Sequence, residues 1–335
     1  MTRPIPDDIQ TLAHERSAAR ASGNWAEADR LRGLIEAAGW RLVDRGTRTS
    51  LALAHPPDVA LEDGIRYGTS ASVPSRLEEP ATAVVTIILV ATDRPADLER
   101  SLGALRTYAS IGSQVVIVAD GPSAGQAQVL GAVESGSGLL APIGDIAPEV
   151  IWTSQRLGIA SAQSCGLRRA VGEMVVLLEL DVEPCGDVIG PMLEALREPS
   201  VAVVGASGAD TPDLGHYQPA GPGAVDVIEA GCLAFRRSDI TARGPLDERF
   251  RFSRDLARWW SLVLRDEGPG TTPRQALALE LPVIQRPPAP QPWDIPFDVD
   301  RLAKRDHYRI LDRFAGRRDL LRAPAARRSE ARARS

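Results

Sequence analysis

Residues 83–91, AVVTIILVA, form an almost continuous apolar run in which β-branched side chains predominate. Such a run is typical of a strand that is covered on both faces, as strands are in parallel sheets. Pro95 follows closely and predicts the start of a helix, with Leu98, Leu102 and Leu105 on one face. We therefore expect a buried strand followed by a helix that covers it.

The same alternation continues along the chain. Further strands are predicted at 114–122, 150–152, 175–184 and 201–205, and helices at 159–171 and 187–198. Strand–helix alternation of this kind indicates an α/β fold with an open, doubly wound, mostly parallel sheet. Ligands of such sheets bind beyond the carboxyl ends of the strands.

The fourth of these strands, VVLLELDVEP at 175–184, ends in three acids at alternate positions. Because side chains alternate along a strand, Glu179 and Asp181 are predicted to share one face. Glu183 would join them if the strand continued, but Pro184 indicates that the chain is already turning. Adjacent carboxylates suit Mg²⁺ or Mn²⁺, which typically carries phosphates as further ligands. The alternative is a strand end whose acids face water.

Acids follow the other strands as well. Asp93, Asp120, Glu179 and Asp181 all lie at or just after predicted carboxyl ends. Because these ends meet at one edge of a parallel sheet, we expect the four acids to converge there. This arrangement favours a site for a metal and a phosphate.

Composition restricts the class of protein. The 335 residues suffice for one large or two smaller domains, and the net charge of −5 gives no basic signature for a nucleic-acid partner. The three cysteines are scattered, so a reducing cytoplasm is expected. The N-terminus lacks the apolar core of a signal peptide, and the apolar run at 83–91 is too short to span a bilayer. These features are also compatible with a protein that contacts the inner face of a membrane peripherally.

Residues 8–54 are predicted to form a small helical hairpin. Ser22-Gly23-Asn24 forms a turn between two helical patterns, and Gly39 is suited to end the second helix. The words NWAEADRLR at 24–32 and AGWRLVD at 38–44 resemble the C-terminal tail of cysteinyl-tRNA synthetases. The synthetase catalytic signatures are not present. Acids and arginines are mixed on the hairpin, so a docking surface for a protein partner is favoured over contact with tRNA.

The rest of the chain divides into three parts. Residues 55–82 are rich in turn-forming residues and are predicted to be a linker. Residues 83–316 are predicted to form the α/β domain. Residues 317–335 are rich in alanine and arginine and are predicted to be a mobile basic tail. A solvated tail is favoured over one that touches anionic lipid or nucleic acid.

Four segments, in order and spacing, resemble family 2 glycosyltransferases. They are TIILV through Leu102 with VVIVADG at 115–121, RLGIA at 156–160 followed by the acidic strand, EAGCLAFRR at 229–237, and GPLDERF at 244–250. The resemblance implies a GT-A fold, a nucleotide-diphosphate sugar donor, a divalent metal and inversion at the anomeric carbon. The acceptor is not indicated.

The resemblance also assigns roles. Asp181 would bind the metal together with Glu179, which replaces the first aspartate of an Asp-x-Asp motif. Asp120 would lie near the nucleoside, although the family usually carries an acid one position earlier, where this chain has Ala119. Arg94 and Arg156 would contact oxygens of the diphosphate. The alternative for each is an ordinary surface arginine. The donor-binding residues expected on these grounds are Asp93, Asp120, Arg156 and Glu179.

The catalytic base departs from the family pattern. Only Asp255 remains as a candidate, since Arg254 and Ala257 stand where other carboxylates are expected. The alternative for Asp255 is an ion pair with Arg254 or Arg258. The segment 281–288 also lacks the late histidine with which many members bind the metal. These departures support a second hypothesis, a catalytically degenerate glycosyltransferase-fold scaffold that recruits a partner through its helical hairpin. Trp259 and Trp260 could stack on a sugar ring, but Trp260 shares helical core spacing with Leu256 and Val263, which favours core packing for at least one of the two.

Overall fold

The computed structural model describes residues 5–45, 48–109, 112–136, 148–286 and 296–322. The chain divides into two compact units, with the boundary between Thr69 and Ser70. This boundary falls inside the segment 55–82.

The smaller unit begins with the helical hairpin that the sequence predicts. Its elements are α1 (Asp7–Ala21), α2 (Trp25–Ala37), β1 (Trp40–Arg45), β2 (Arg48–Leu53), β3 (Val59–Leu61) and β4 (Gly64–Arg66). The side chain of Asn24 accepts a hydrogen bond from the backbone N–H of Glu27 and so caps α2. Ile9, Ile35 and Trp40 form a small buried core, which joins the two helices to the β1–β2 ribbon.

The larger unit contains the remaining elements. Its strands are β5 (Ala83–Ala91), β6 (Ser113–Ala119), β7 (Glu149–Trp152), β8 (Gly172–Leu178), β9 (Val182–Pro184), β10 (Val201–Gly205), β11 (Gly208–Asp210), β12 (Gln218–Ala220), β13 (Gly223–Val225), β14 (Val227–Ile228), β15 (Cys232–Arg236), β16 (Gln275–Ala278) and β17 (Val283–Gln285). Its helices are α3 (Pro95–Tyr108), α4 (Ala124–Glu134), α5 (Ile159–Arg169), α6 (Ile189–Arg197), α7 (Arg237–Arg243), α8 (Ser253–Arg265) and α9 (Pro296–Phe314), with short 3₁₀ turns at Ser70–Ser72 and Arg318–Leu320.

Within the described residues, eight of these strands form one sheet in the order β13-β16-β10-β15-β8-β5-β6-β7. Strands β5, β6, β7 and β8 pair in parallel, as do β10 and β16. Only β13 and β15 run against the others. The prediction of an α/β fold with a mostly parallel sheet is therefore confirmed. The antiparallel β15 comes from a segment in which the strand–helix alternation is lost.

The core of the larger unit lies between this sheet and its helices. The strand at 83–91 is buried over most of its length, as its continuous apolar pattern predicts. Trp259 and Trp260 are also buried, and Trp260 packs edge-on against Phe235 with ring centroids 5.6 Å apart. Both tryptophans therefore belong to the core.

Residues 70–82 pack on the larger unit. Val73 is buried, and its carbonyl oxygen accepts a 2.7 Å hydrogen bond from Arg168. Arg237 donates to several carbonyl oxygens of the same segment, including that of Glu79 at 2.7 Å. At the other end of the chain, the predicted tail begins with ordered residues, since Leu320 is buried and Arg317 pairs with Asp266 at 2.6 Å. The remainder of the predicted tail, 323–335, lies outside the described residues.

None of the helices in the described ranges combines the length and the apolar character that crossing a bilayer requires.

Candidate functional site

The carboxyl ends of β5, β6 and β8 lie side by side at one edge of the sheet. In the parallel register Ala91 pairs with Ala119, and the backbone N–H of Asp120 donates 2.9 Å to the carbonyl oxygen of Ala91. The segments that carry Asp93, Asp120 and Glu179 therefore leave the sheet at this edge.

Asp120 organises the loop in front of α5. Its two carboxylate oxygens accept the backbone N–H groups of Leu157 at 2.6 Å and Gly158 at 3.0 Å. The residue is buried, and burial raises the pKa of its carboxyl, although these two hydrogen bonds and the nearby Arg156 oppose the rise. Both carboxylate oxygens thus bind backbone groups of the chain itself.

A glycine allows this loop to pass close to the end of β6. Gly121 has a φ of +54°, and a Cβ at this position would lie 2.5 Å from the backbone nitrogen of Arg156. A side chain is excluded on both grounds. The close approach brings half-buried Arg156 beside Asp120, where its positive charge acts on the carboxylate.

The acidic strand ends earlier than its sequence indicates. Strand β8 stops at Leu178, and the backbone N–H of Val182 donates 3.0 Å to the carbonyl oxygen of Glu179, which closes a turn. The two-residue alternation therefore does not extend through Glu179 and Asp181. The register with β15 ends at Leu178 opposite Cys232, and after one more backbone hydrogen bond, from the N–H of Glu179 to the carbonyl oxygen of Gly231 at 2.8 Å, the chain enters the turn.

Glu179 faces a small cavity under the first turn of α8. The cavity is lined by the side chain of Glu179 together with Gln163, Ser253, Leu256 and Trp260, among others. Burial raises the pKa of Glu179 to about 7, the Ser253 hydroxyl donates a hydrogen bond that opposes the rise, and the charge of Asp181 adds to it. Glu179 and Asp181 therefore interact electrostatically while their surroundings differ.

Asp181 presents a buried oxygen that has no partner. It lies in the turn after β8, and its Oδ1 makes no hydrogen bond among the described residues. Burial raises the pKa of the Asp181 carboxyl, a hydrogen bond from the residue's own backbone N–H and the charge of Arg94 oppose the rise, and Asp97 adds to it. A buried carboxylate oxygen without a donor is costly, so it indicates a position suited to a ligand.

Arginines and acids alternate around this turn. Arg94 pairs with Asp97 at 2.5 Å, Arg100 pairs with both Asp97 and Glu183, and Arg286 pairs with Glu183 at 2.5 Å. Counted with Asp181, the cluster holds three arginines and three carboxylates. It has no excess of positive charge.

The remaining predicted residues lie in other surroundings. Half-buried Asp93 accepts a 3.0 Å hydrogen bond from the hydroxyl of Thr92. Asp255 is buried in the first turn of α8 and lies 3.7 Å from Arg254 and 3.5 Å from Arg258. Arg258 also donates to Glu229 at 2.6 Å. The ion pairs that the sequence offered as the alternative for Asp255 are thus both present.

Sequence reasoning missed three functional features. It did not find Ser253 as the partner of Glu179, nor Arg286 beside the turn that carries Asp181. It also missed buried Asp306 on α9, which accepts the backbone N–H groups of Arg251 at 2.7 Å and Phe252 at 3.0 Å and so fixes the entry to α8. Only a charged residue in an apolar helix stripe could have indicated Asp306, and the sequence gives no signal for the other two.

The residues present fit a divalent cation in one specific way. Among the described residues, no three His, Cys, Asp or Glu side chains come together as a closed metal site. The unpartnered Oδ1 of Asp181 nevertheless offers one hard oxygen ligand. Mg²⁺ is commonly bound by one or two carboxylates while substrate phosphates and water complete its shell.

Comparison with known proteins finds a family model that matches this part of the chain. Residues 86–251 match the model of Glycosyl transferase family 2. Among curated proteins, the Cysteine–tRNA ligase 1 of Burkholderia lata is 45% identical over 40 residues, which are 12% of this chain and 8% of the ligase. The resemblance to the synthetase is thus confirmed over a short stretch only.

Three solved structures show a partial similarity to this chain. The mannosyltransferase PcManGT from Pyrobaculum calidifontis, solved with GDP-Man and Mn²⁺, is 17% identical with a TM-score of 0.48, covering 72% of this chain and 67% of its own. GalNAc-T7, solved with UDP, GalNAc and Mn²⁺, is 11% identical with a TM-score of 0.47, covering 60% and 42%. TarS from S. aureus is 10% identical with a TM-score of 0.48, covering 68% and 63%. The chain thus spans less than two thirds of GalNAc-T7, of the TarS fragment and of the ligase.

Proposed function

We propose that the protein, whose residues 86–251 match the model of Glycosyl transferase family 2, transfers a sugar from a nucleotide-diphosphate donor to an acceptor hydroxyl. The transfer inverts the anomeric carbon and depends on Mg²⁺ or Mn²⁺. The observation that carries the proposal is the buried, unpartnered Oδ1 of Asp181 at the carboxyl edge of the sheet.

Charge supports the need for a cation. The three arginines around the turn are matched by Asp97, Asp181 and Glu183, so the cluster cannot by itself neutralise a diphosphate. Asp181 would hold the cation, and Glu179 would adjoin it from the cavity side. When bound, the cation supplies the positive charge that stabilises the departing nucleoside diphosphate.

The donor would lie along the same edge. Arg156 is positioned beside Asp120, where a diphosphate can meet its guanidinium, and Asp93 follows the neighbouring strand. Since both oxygens of Asp120 bind the loop before α5, we assign to Asp120 the shaping of the nucleoside site, not direct contact with the base.

Asp255 accepts the proton. In the transfer, the acceptor oxygen forms a bond to the anomeric carbon, the bond from that carbon to the diphosphate oxygen breaks, and the hydroxyl proton moves to the Asp255 carboxylate. Arg258, which pairs with Glu229 at 2.6 Å, lies 3.5 Å from Asp255 and would hold its carboxylate in position.

A second function is favoured by one specific observation. Asp255 is flanked by Arg254 and Arg258, while Ala119 and Ala257 provide no carboxylate. A scaffold that keeps the sugar-transferase fold would bind a nucleotide diphosphate without turnover. Its helical hairpin, residues 8–54, would dock a protein partner.

Turnover separates the two functions. Purified full-length protein with Mn²⁺ is offered a panel of UDP- and GDP-sugars, and the released nucleoside diphosphate is quantified. We expect release with at least one donor, loss of release in Asp181→Asn, and retention in the control Asp63→Asn, whose side chain is 63% exposed and pairs with Arg66. Binding of a nucleotide diphosphate without any release supports the scaffold, whereas folded protein that binds none contradicts both.

A further inference from the structure

The strand β17 lies directly beside the turn that carries Asp181. Val283, Ile284 and Gln285 pair with β9, and the next residue, Arg286, donates its backbone N–H to the carbonyl oxygen of Asp181 at 2.8 Å. The segment that lacks the family's late histidine is therefore adjacent to the proposed cation site. It places an arginine there.

The side chain of Arg286 is held by Glu183. Its Nε and Nη2 both donate to Oε2 of Glu183, at 2.9 and 2.5 Å. Oε2 of Glu183 also lies 3.1 Å from Nε of Arg100. Glu183 therefore keeps one cationic partner if Arg286 moves away.

Exposure distinguishes Arg286 from the other arginines of the cluster. Its side chain is 42% exposed, against 27% for Arg100 and 15% for Arg94. Solvent weakens an ion pair whose cation is exposed, and Glu183 keeps Arg100 as a partner, so Arg286 leaves Glu183 at low cost. Arginine binds phosphate oxygens with the same fork of donors that it presents to a carboxylate.

We propose that Arg286 is a donor-binding residue, which exchanges its ion pair with Glu183 for an oxygen of the donor's diphosphate. The inference rests on the proposed function, since it needs a diphosphate beside Asp181. Glu183 then acts as the resting partner of Arg286 in the empty site, and Arg100 neutralises it when Arg286 leaves.

Substitution of Arg286 and substitution of Glu183 are expected to change the affinity for the diphosphate in opposite directions. Calorimetry with Mn²⁺ measures the dissociation constants of UDP, GDP and inorganic pyrophosphate for Arg286→Gln and Glu183→Gln. Arg286→Gln is expected to weaken binding about tenfold, the effect of one charge-assisted hydrogen bond. Glu183→Gln is expected to tighten binding about threefold because Arg286 no longer has to leave a charged partner.

A matched pair elsewhere on the chain serves as control. Arg197 and Glu194 form an exposed ion pair on α6, and Arg197→Gln and Glu194→Gln are expected to leave all three dissociation constants unchanged. The salt dependence of binding is also expected to be shallower in Arg286→Gln and retained in Arg286→Lys, a difference that a structural role would not produce.

The outcomes are separable. If the wild-type protein binds none of the three probes, the proposed function fails and this inference fails with it. If the wild type binds and Arg286→Gln binds equally well, or if Glu183→Gln weakens binding as much as Arg286→Gln, the inference alone is overturned. Thermal melts of all variants exclude unfolding, and Glu183→Gln provides the test if Arg286→Gln does not fold, since unchanged or weakened binding in it would contradict the inference.

Discussion

The backbone N–H of Val182 donates a 3.0 Å hydrogen bond to the carbonyl oxygen of Glu179, which closes a turn around Asp181. The turn separates the surroundings of two acids that are only two positions apart. Glu179 faces the cavity under α8 and receives the Ser253 hydroxyl, whereas Asp181 adjoins Arg94 and Asp97.

Glu179 makes stability depend on pH. Burial raises its pKa from 4.5 to about 7, so the folded protein holds this proton more tightly than the unfolded chain does. Its ionisation therefore lowers the free energy of unfolding as pH rises from about 4.5 to about 7, with no further loss above that range. The free energy of unfolding of Glu179→Gln should equal that of the wild type near pH 4.5. At pH 8 it should be higher than that of the wild type by at most about 3 kcal/mol.

Urea unfolding in EDTA at several pH values measures this difference. The exposed Glu194→Gln should follow the wild type at every pH. Parallel curves for Glu179→Gln and the wild type would show that Glu179 titrates normally.

Substitution of Asp120 is predicted to lower the stability of the folded protein, because its carboxylate binds backbone groups of the chain itself. Asp120→Ala leaves the N–H groups of Leu157 and Gly158 without their acceptor, which should lower the free energy of unfolding by about 2–4 kcal/mol. Asp120→Asn keeps one carbonyl oxygen and should lose less. Chemical denaturation of both variants beside Asp63→Asn tests this, and an unchanged midpoint for Asp120→Ala argues against the role.

The C-terminal segment 317–322 is predicted to be part of the folded domain. Arg265 donates 2.7 Å to the carbonyl oxygen of Leu320, and Asp226 accepts the backbone N–H of Arg322 at 2.6 Å. Deletion of 317–335 should lower the free energy of unfolding by about 3 kcal/mol or more, since it exposes buried partners and removes buried Leu320. Deletion of 323–335 keeps these contacts and should leave stability unchanged. Equal stability of the two truncations would refute the assignment.

Asp255 is predicted to govern turnover without governing donor affinity. Asp255→Asn cannot accept the proton, so release of the nucleoside diphosphate should fall about a hundredfold or more. The dissociation constant of the nucleotide diphosphate should change little, because Asp255 pairs with Arg254 and Arg258 and not with the arginines around Asp181. Steady-state kinetics combined with calorimetry measures both quantities. A wild-type rate in Asp255→Asn would remove Asp255 from the reaction.

The architecture followed from local patterns. The apolar run at 83–91 and the strand–helix alternation after it predict the parallel part of the sheet, because strands covered on both faces need continuous apolar sequence. The antiparallel β15 escaped this reasoning. No helix separates β15 from the strands that precede it back to β10, so the strand–helix pattern gives no signal for it. Its place between β8 and β10 depends on pairing between residues that are far apart in the chain.

Of the candidate site, the sequence predicted the positions of acids that follow strand ends, but not their contacts. Asp120 and Asp181 follow β6 and β8, so their positions at one edge could be read from the sequence. Their hydrogen-bond partners could not be read from the sequence, because these bonds join distant segments. Leu157 is 37 residues from Asp120, and Arg286 is farther still from Asp181. The orientation of Glu179 was also hidden, since it depends on where β15 stops pairing.

The central claim is that Asp181 anchors a divalent cation and, through it, the donor's diphosphate. The most direct measurement is calorimetric titration of UDP and GDP, with and without Mn²⁺, into the wild type, Asp181→Asn and the control Asp63→Asn. We predict that Mn²⁺ strengthens binding about tenfold or more in the wild type and the control and has no effect in Asp181→Asn. Equal Mn²⁺ enhancement in Asp181→Asn and the wild type would contradict the claim.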